Sequence, residues 1–229
     1  MRYEPRTIAF LCELLHPPLA PDPAPIQRIH NRMFQAGTPL YKSFAVTGQG
    51  SVLSNPAAQP GAVSTAAVLG DRLQFREELS GLTVDEFATR VREIATAVAD
   101  LRHIPVFPAQ IVTIRTLINP RNFRDSRAFL RDATFGFGEE LQVFGRTPQL
   151  YGLRLVFPPQ PDAPNAFTLR AESFAGDARS LFLENQGSFG PTLVAHGTAP
   201  IEENVRATYD FVVDRAFPFI ARFDVRQEV

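Results

Sequence analysis

A pattern that occurs twice along the chain constrains the fold more than any other feature. An apolar run that starts near Ile8 ends at Pro17, and a second apolar run that starts at Ile111 ends at Pro120. Each run precedes a segment with basic residues that ends on a phenylalanine and is typical of a helix. The first run, Arg6–Leu15, is almost wholly apolar, which indicates a strand that is covered on both faces. The two halves of the chain therefore begin with the same order of elements.

The rest of the first half contains further strand and helix patterns. Pro25–Gln35 is predicted to be a helix that starts on a proline, and Thr83 with Glu86 forms the capping-box spacing of a second, longer helix to Arg102. The turn-rich segment Gly48–Gly61 is expected to be a long surface loop. The four predicted strands are Arg6–Leu15, Tyr41–Thr47, Val63–Leu69 and Arg72–Glu78, and the last two are joined by a Gly-Asp turn.

The second half repeats this order. Its predicted strands are Gln110–Asn119, Leu150–Phe157, Ala166–Phe174 and Ser180–Asn185, and its predicted helices are about Asp125–Thr134 and Pro200–Ala216. A Gly-Asp turn again joins the last two strands, and Pro218 is expected to stop or kink the final helix. The sequence thus predicts an internally duplicated β-α-β-β-β-α unit, with residues 1–105 as the first half and 106–229 as the second.

These elements predict an α+β fold with a mainly antiparallel sheet. Two helices per half can cover only one face of a four-stranded unit, so two halves that join edge to edge would carry all their helices on one face. The opposite face of the sheet would then be open. Two separate small domains are the alternative, and they are less favoured because no flexible linker separates Leu101 from Ile111.

Alternation along the strands of the second half places charged side chains on the face opposite the helices. This candidate binding surface comprises Arg115, Arg154, Arg170, Glu172 and Glu184. The simpler interpretation is a cross-strand ladder of ion pairs, which contributes about 0 to 1 kcal/mol per exposed pair. In the first strand the apolar residues are expected on the equivalent of the charged side, where the loop Gly48–Gly61, a partner subunit or an apolar ligand would have to cover them. These residues are Ile8, Phe10, Cys12 and Leu14.

A second group of arginines follows the strand at Ile111. Arg121, Arg124, Arg127 and Arg131 form a possible anion patch, with Phe123 available for base stacking. Arginines interleaved with aromatic residues can hold single-stranded nucleic acid. They also fit the solvent side of an amphipathic helix, and a net charge of −1 provides no general attraction to a polyanion. Nucleic acid is therefore the less favoured partner.

No catalytic motif, metal site or cofactor motif is recognisable in the sequence. The four histidines stand far apart without another ligand at metal-binding spacing, and no Ser, His and Asp set can be assembled. The single cysteine, Cys12, lies in an apolar run and is expected to be a small buried residue. No apolar run reaches about 18 residues, and the first residues do not resemble a signal peptide, so a cytoplasmic protein without a membrane span is expected.

The segments IRTLINPRN and LFLEN, the apolar N-terminal strand and the closing helix ENVRATYDFVVDRAF together resemble an uncharacterised, sporadically distributed bacterial protein family. That family usually has a tyrosine before the Ile-Asn pair, where this chain has Leu117. The resemblance implies a bacterial cytoplasmic origin and an α+β fold, and it implies no reaction, cofactor or catalytic residue.

The sequence favours a non-catalytic binding or assembly protein that uses the open sheet face and self-associates or binds another protein. The alternative is a small-ligand-binding protein or an enzyme with a pocket at the seam between the two halves, lined by some of the 20 phenylalanines. A closed pocket with convergent polar groups at the seam would favour the alternative, whereas a solid core there would favour the first hypothesis.

Overall fold

The structure is a computed structural model that describes residues 3–137 and 139–225. Its centre is a nine-stranded sheet in which every neighbouring pair of strands is antiparallel. These strands are β1 (Arg6–Leu15), β2 (Ser43–Thr47), β3 (Gly50–Ser54), β4 (Val63–Leu69), β5 (Arg72–Glu78), β7 (Gln110–Ile118), β8 (Gly152–Phe157), β9 (Ala166–Ser173) and β10 (Leu181–Phe189). A separate two-stranded ribbon pairs β6 (Val106–Phe107) with β11 (Thr192–Leu193). The predicted α+β class is confirmed.

The two halves of the chain meet at the middle of the large sheet. The strand order is β2-β3-β4-β5-β1-β7-β10-β9-β8, so β1 pairs with β7 and both halves contribute to one continuous sheet. The order β3-β4-β5-β1 on one side of the seam matches β8-β9-β10-β7 on the other. The predicted repeat matched β2 to β8, whereas the strand order places β3 in the position equivalent to β8 and leaves β2 without a counterpart, so the internal duplication stays a prediction.

The first half contains a strand where the sequence predicted only a loop. Within Gly48–Gly61, residues Gly50–Ser54 form β3, which pairs with both β2 and β4. A two-residue connection after Thr47 closes the β2–β3 hairpin. As a result β2, and not β3, is the edge strand of the first half. In the second half, β10 runs four residues beyond the predicted end at Asn185.

The helices begin and end close to their predicted positions. They are α1 (Ala24–Gln35), α2 (Val84–Arg102), α3 (Ser126–Ala128), α4 (Ala199–Phe211) and α5 (Phe217–Ala221). Thr83 and Glu86 form the predicted capping box of α2, since each side chain accepts a hydrogen bond from the other residue's backbone amide. A π-helical segment, Phe129–Phe135, extends α3, and another, Val212–Ala216, connects α4 to α5. Helical structure thus continues past Pro218 and does not stop there.

The described helices pack against one face of the sheet. The larger apolar core combines Phe10 of β1, Phe87 of α2, Val112 of β7 and Val205 of α4, so it spans both halves. A smaller core beneath α3 and α5 includes Phe129 and residues of β9 and β10. Among the described residues, no helix combines the length and the apolar character needed to cross a membrane.

The expected exposure of the apolar side of β1 is wrong. Cys12 pairs directly with Val112, and Phe10 pairs with Ile114, so these side chains share the face that the helices cover. Phe10 also stacks on Phe87 of α2 at a ring-centroid distance of 5.2 Å. The sequence pattern matched these residues to Thr113 and Arg115 of the second half, whereas the register places them opposite the apolar residues of β7, which lie on the other face.

Candidate functional site: the open face of the sheet

The strand register brings the predicted charged residues onto the face opposite the helices. Glu78 of β5 pairs with Ala9 of β1, which pairs with Arg115 of β7. The same row continues through the paired residues Glu184, Arg170 and Arg154 on β10, β9 and β8. Glu172 is the next residue of β9 on the same face as Arg170, because every second residue of a strand points to the same side. We call the side of the sheet that bears this row the open face.

Four of the five predicted binding residues, Arg115, Glu184, Arg170 and Glu172, form a continuous ladder of ion pairs. The Arg115 Nε donates to Glu184 Oε2 at 2.7 Å, and the Arg115 Nη1 lies 3.7 Å from Glu78 Oε1. The Arg170 Nη2 lies 3.7 Å from Glu184 Oε1 and its guanidinium stands over the ring of Phe182. The charges of Arg115 and Arg170 are therefore matched within the fold, as the simpler interpretation of these residues anticipated.

Glu172 forms the end of this ladder, and Arg154 lies outside it. Glu172 Oε1 lies 3.6 Å from Arg170 Nη2, a longer ion pair than the one between Arg115 and Glu184. Arg154 is exposed near the free edge formed by β8, and no ion pair within residues 3–137 and 139–225 involves its side chain. Arg154 is consequently the candidate residue whose charge is most available to a partner.

The open face has a shallow concavity at the seam between the halves. Its volume is about 470 Å³, and Leu11 of β1 and Ile111 of β7 contribute apolar surface to it. Polar side chains from the flanking strands border it, including Gln74, Thr113 and Gln186. Sequence reasoning missed this concavity because it assigned the face of β1 wrongly, and the pairing of β1 with β7, which sets that face, is not readable from the sequence.

The second predicted group, the possible anion patch, does not form a free cationic surface. Arg131 makes a bidentate contact with Asp132, at 2.5 and 2.8 Å, and Arg124 lies 3.5 Å from Asp125. Arg121 stacks its guanidinium 6.0 Å from the centre of the Tyr3 ring. Arg127 is exposed on α3. Because neighbouring aspartates pair with Arg124 and Arg131, the attraction of this group for a phosphate chain is reduced.

The helix-covered side of the seam is filled by side chains. Gln110 of β7 is buried there, where its Nε2 donates to the Ile201 carbonyl oxygen at 2.9 Å and its Oε1 accepts from Asn204 at 2.8 Å. Cys12, Val112 and Ile114 are fully buried beside it. A solid core on this side leaves the concavity of the open face as the space at the seam that a ligand could enter.

A buried carboxylate on the opposite face from the ladder is a further polar site. Glu77 of β5 is 1% exposed, and its Oε1 accepts hydrogen bonds from Arg90 Nη1 at 2.6 Å and Ser64 Oγ at 2.9 Å. Tyr41 also donates to this oxygen, at 3.3 Å, while its ring lies beneath the Arg90 guanidinium. Burial and the nearby Glu77 carboxylate raise the pKa of Tyr41, so its hydroxyl stays a neutral donor.

Part of the signal for this carboxylate is present in the sequence. Neighbouring residues of a strand point to opposite faces, and Glu77 and Glu78 do so. In β5 every second residue is buried, and Glu77 follows Leu73 and Phe75 in this alternation. An acidic residue thus occupies a position where the alternation predicts an apolar one. The alternation therefore indicates a buried acid that needs a hydrogen-bonding partner, but it does not show that the partner is Arg90 on α2.

The described residues contain no group of three or more His, Cys, Asp and Glu side chains that could hold a metal ion. Neither a scan against protein-family models nor a search of curated proteins finds a match to this chain.

Proposed function

We propose that this is a non-catalytic binding or assembly protein that self-associates through the open face of its sheet. The observation that supports the proposal most directly is a sheet with helices on one face only, whose other face combines a central concavity with an uncompensated arginine at its margin. An antiparallel sheet can leave one face to solvent, and exposed apolar surface on such a face, here contributed by Leu11 and Ile111, is what marks a site of association.

The charge pattern of the open face favours a second copy of the chain as the partner. The face carries both signs in similar number: the arginines 72, 76, 115, 154 and 170 and the glutamates 13, 78, 172 and 184. In a two-fold dimer the same surface patch of each protomer forms the interface. Each positive charge on the patch must therefore be able to meet a negative charge of the same patch on the other protomer. In such a pair, Arg154 of one protomer can approach Glu172 of the other. A polyanion would instead require one dominant positive sign.

Native mass spectrometry over a concentration series tests self-association. We expect a dimer in the unmodified protein and a weaker dimer, by about tenfold in Kd, for Arg154→Glu, because the change replaces an attractive charge with a repulsive one. Arg127→Glu is the matched control, since it makes the same change at an exposed arginine in the helical layer and should leave the dimer unchanged. A monomer at all concentrations, or equal effects of the two substitutions, would refute self-association through this face.

The concavity supports a small-ligand site at the seam as a second candidate function. Thr113 and Gln186 border it from β7 and β10, and Leu11 and Ile111 supply apolar contact, which is the mixture found in small-molecule sites. Thr113→Phe would fill this space without altering the charged ladder. Loss of ligand binding with an unchanged oligomeric state would favour this candidate over association, whereas loss of the dimer alone would favour association.

A further inference from the structure

The helix-covered side of the sheet contains a second cavity, separate from the open face. Its volume is about 130 Å³, and residues of the loop that follows β3 form one wall. Its polar lining residues are Asn55, Ser64, Glu77, Ser80 and Arg90. We call it the Glu77 pocket. A dry cavity of similar size, ~150 Å³, holds a molecule as large as benzene. The Glu77 pocket can therefore hold a ligand of only a few heavy atoms.

Hydrogen bonding at the base of the Glu77 pocket is incomplete. All three donors to the carboxylate, from Arg90, Ser64 and Tyr41, reach the same oxygen, Oε1. Glu77 Oε2 and Arg90 Nε are buried and have no hydrogen-bond partner among the described residues. An unsatisfied buried polar atom costs about 1 to 3 kcal/mol, and more where the group is charged. Two residues that line the pocket thus contribute one acceptor and one donor that nothing in the described protein satisfies.

The charge of this arrangement limits the ligand that could complete it. The side chain of Arg90 is 14% exposed and that of Glu77 is 0% exposed, and their 2.6 Å contact makes them an ion pair with no net charge. A free anion would meet the buried Glu77 carboxylate, and a free cation would meet the Arg90 guanidinium. A neutral group that carries a donor next to an acceptor matches both partners, because it can donate to the carboxylate and accept from the guanidinium.

We propose that the Glu77 pocket is a binding site for a small neutral molecule with a primary carboxamide or an equivalent donor–acceptor edge. The N–H of the ligand donates to Glu77 Oε2, and its carbonyl oxygen accepts from Arg90. Since both protein atoms are buried, the carboxylate and the guanidinium turn toward the cavity as the ligand enters. The wall residues Ala58, Ala62 and Leu82 surround the remaining apolar part of the ligand. This site lies on the opposite side of the sheet from the proposed association face and does not depend on it.

Two-dimensional amide NMR of the intact protein tests the proposal with four probes of similar size: acetamide, acetate, methylammonium and benzene. We expect saturable shifts of the Asn55, Ser64 and Arg90 backbone amides with acetamide, and at least about tenfold weaker binding of the other three. Ala62→Leu fills the pocket without touching the ion pair and should abolish the acetamide shifts. Ala163→Leu, the same change in an exposed loop elsewhere, should leave them intact.

A direct test of the hydrogen bond uses Glu77→Gln, which keeps the size of the side chain and should weaken acetamide binding by about tenfold or more. Should that variant fail to fold, the Ala62→Leu and Ala163→Leu pair decides the question alone. The proposal is overturned if no probe saturates, if acetate or benzene binds as tightly as acetamide, or if Ala62→Leu binds acetamide normally. A crystal structure of the acetamide-soaked protein with only ordered water at Glu77 would overturn it as well.

Discussion

At the scale of single residues, Cys12 shows how burial controls chemistry. The thiol is 1% exposed between β5 and β7, where Gln110 Nε2 lies 3.5 Å from its sulfur. Burial raises the pKa of the Cys12 thiol to about 12, although the Gln110 contact opposes this shift. Because the thiolate is the nucleophile, Cys12 should be inert in the native protein. The expectation from the sequence, a small buried residue, is confirmed.

We predict that Cys12 reacts with an aromatic disulfide reagent at mildly alkaline pH only when the protein unfolds. The native thiol should react at least about a hundredfold more slowly than the thiol in denaturing urea, because it is both protonated and inaccessible. Absorbance of the released thiolate measures both rates, and Cys12→Ala provides the blank. A native rate close to that of the unfolded chain would contradict the prediction.

The raised pKa of the Cys12 thiol makes the stability of the protein depend on pH. Between the ordinary thiol pKa of about 8.5 and about 12, the unfolded chain releases the Cys12 proton while the native protein retains it. The native state then binds more protons, so stability decreases as pH rises through this window and is unaffected by this group below it. Urea unfolding of the wild type and Cys12→Ala should show a steeper alkaline loss in the wild type.

At the scale of elements, the sequence predicted those strands and helices whose own pattern is strong. The α2 helix has a capping box and an apolar stripe, so local signals are sufficient to place both its start and its buried face. Strand β3 lacks such a pattern, since glycine, serine and asparagine surround only Val52 and Leu53. Its pairing with both β2 and β4 determines its structure. Tertiary contacts of this kind cannot be deduced from local propensity.

Gly50 shows why a glycine-rich segment can nevertheless be a strand. Its φ is 153°, and a Cβ at this position would overlap the carbonyl oxygen of Val68 on β4. The glycine therefore permits the close approach of the two strands at the start of β3. A composition rule that equates glycine with a loop misses this use.

The packing of α4 on β10 depends on another glycine. A Cβ at Gly187 would lie 2.5 Å from Thr208 Oγ1 on α4 and 2.7 Å from the Phe189 ring. We predict that Gly187→Ala lowers the free energy of unfolding by about 1 to 3 kcal/mol, because a close-packed interface must separate to accept the methyl group. Urea unfolding measures the change.

A double substitution and a control make this test specific. Gly187→Ala with Thr208→Ala should be less destabilised than the sum of the two single changes, since the second change removes the nearest clashing atom. Gly190→Ala should change stability by no more than about 0.5 kcal/mol, because no atom lies within 4 Å of a Cβ there. Additive effects of the two substitutions would show that Gly187 does not set the distance between β10 and α4.

At the scale of the whole molecule, the sequence correctly indicated helices on one face of an antiparallel sheet, and it placed all five candidate residues on the other. It could not show how far the ladder neutralises them. The contact between Arg115 and Glu78 joins β7 to β5 across β1, and therefore across the seam. Which strands flank the seam depends on the meeting of the two halves, and no pattern within either half encodes that geometry.

The position of the seam in the middle of the sheet leads to a prediction about the two halves as separate fragments. Strands β1 and β7 are central in the intact sheet, and each becomes an unpaired edge if the chain is divided after residue 105. The larger core would be divided as well, since Phe87 and Val205 belong to different halves. We predict that fragments 1–105 and 106–229 each lack a cooperative thermal transition alone and form a folded one-to-one complex when they are expressed together.

Calorimetry of each fragment and of the co-purified pair measures these outcomes. Substituting Val112→Asp in the second fragment is a sharp control, because it places a charge in the buried seam beside Cys12 and should prevent complex formation. Arg127→Asp, on the exposed surface of the same fragment, should not. A cooperative transition in either isolated fragment would favour two self-sufficient domains, and the seam would then be an interface between them, with no requirement for the partner half in folding.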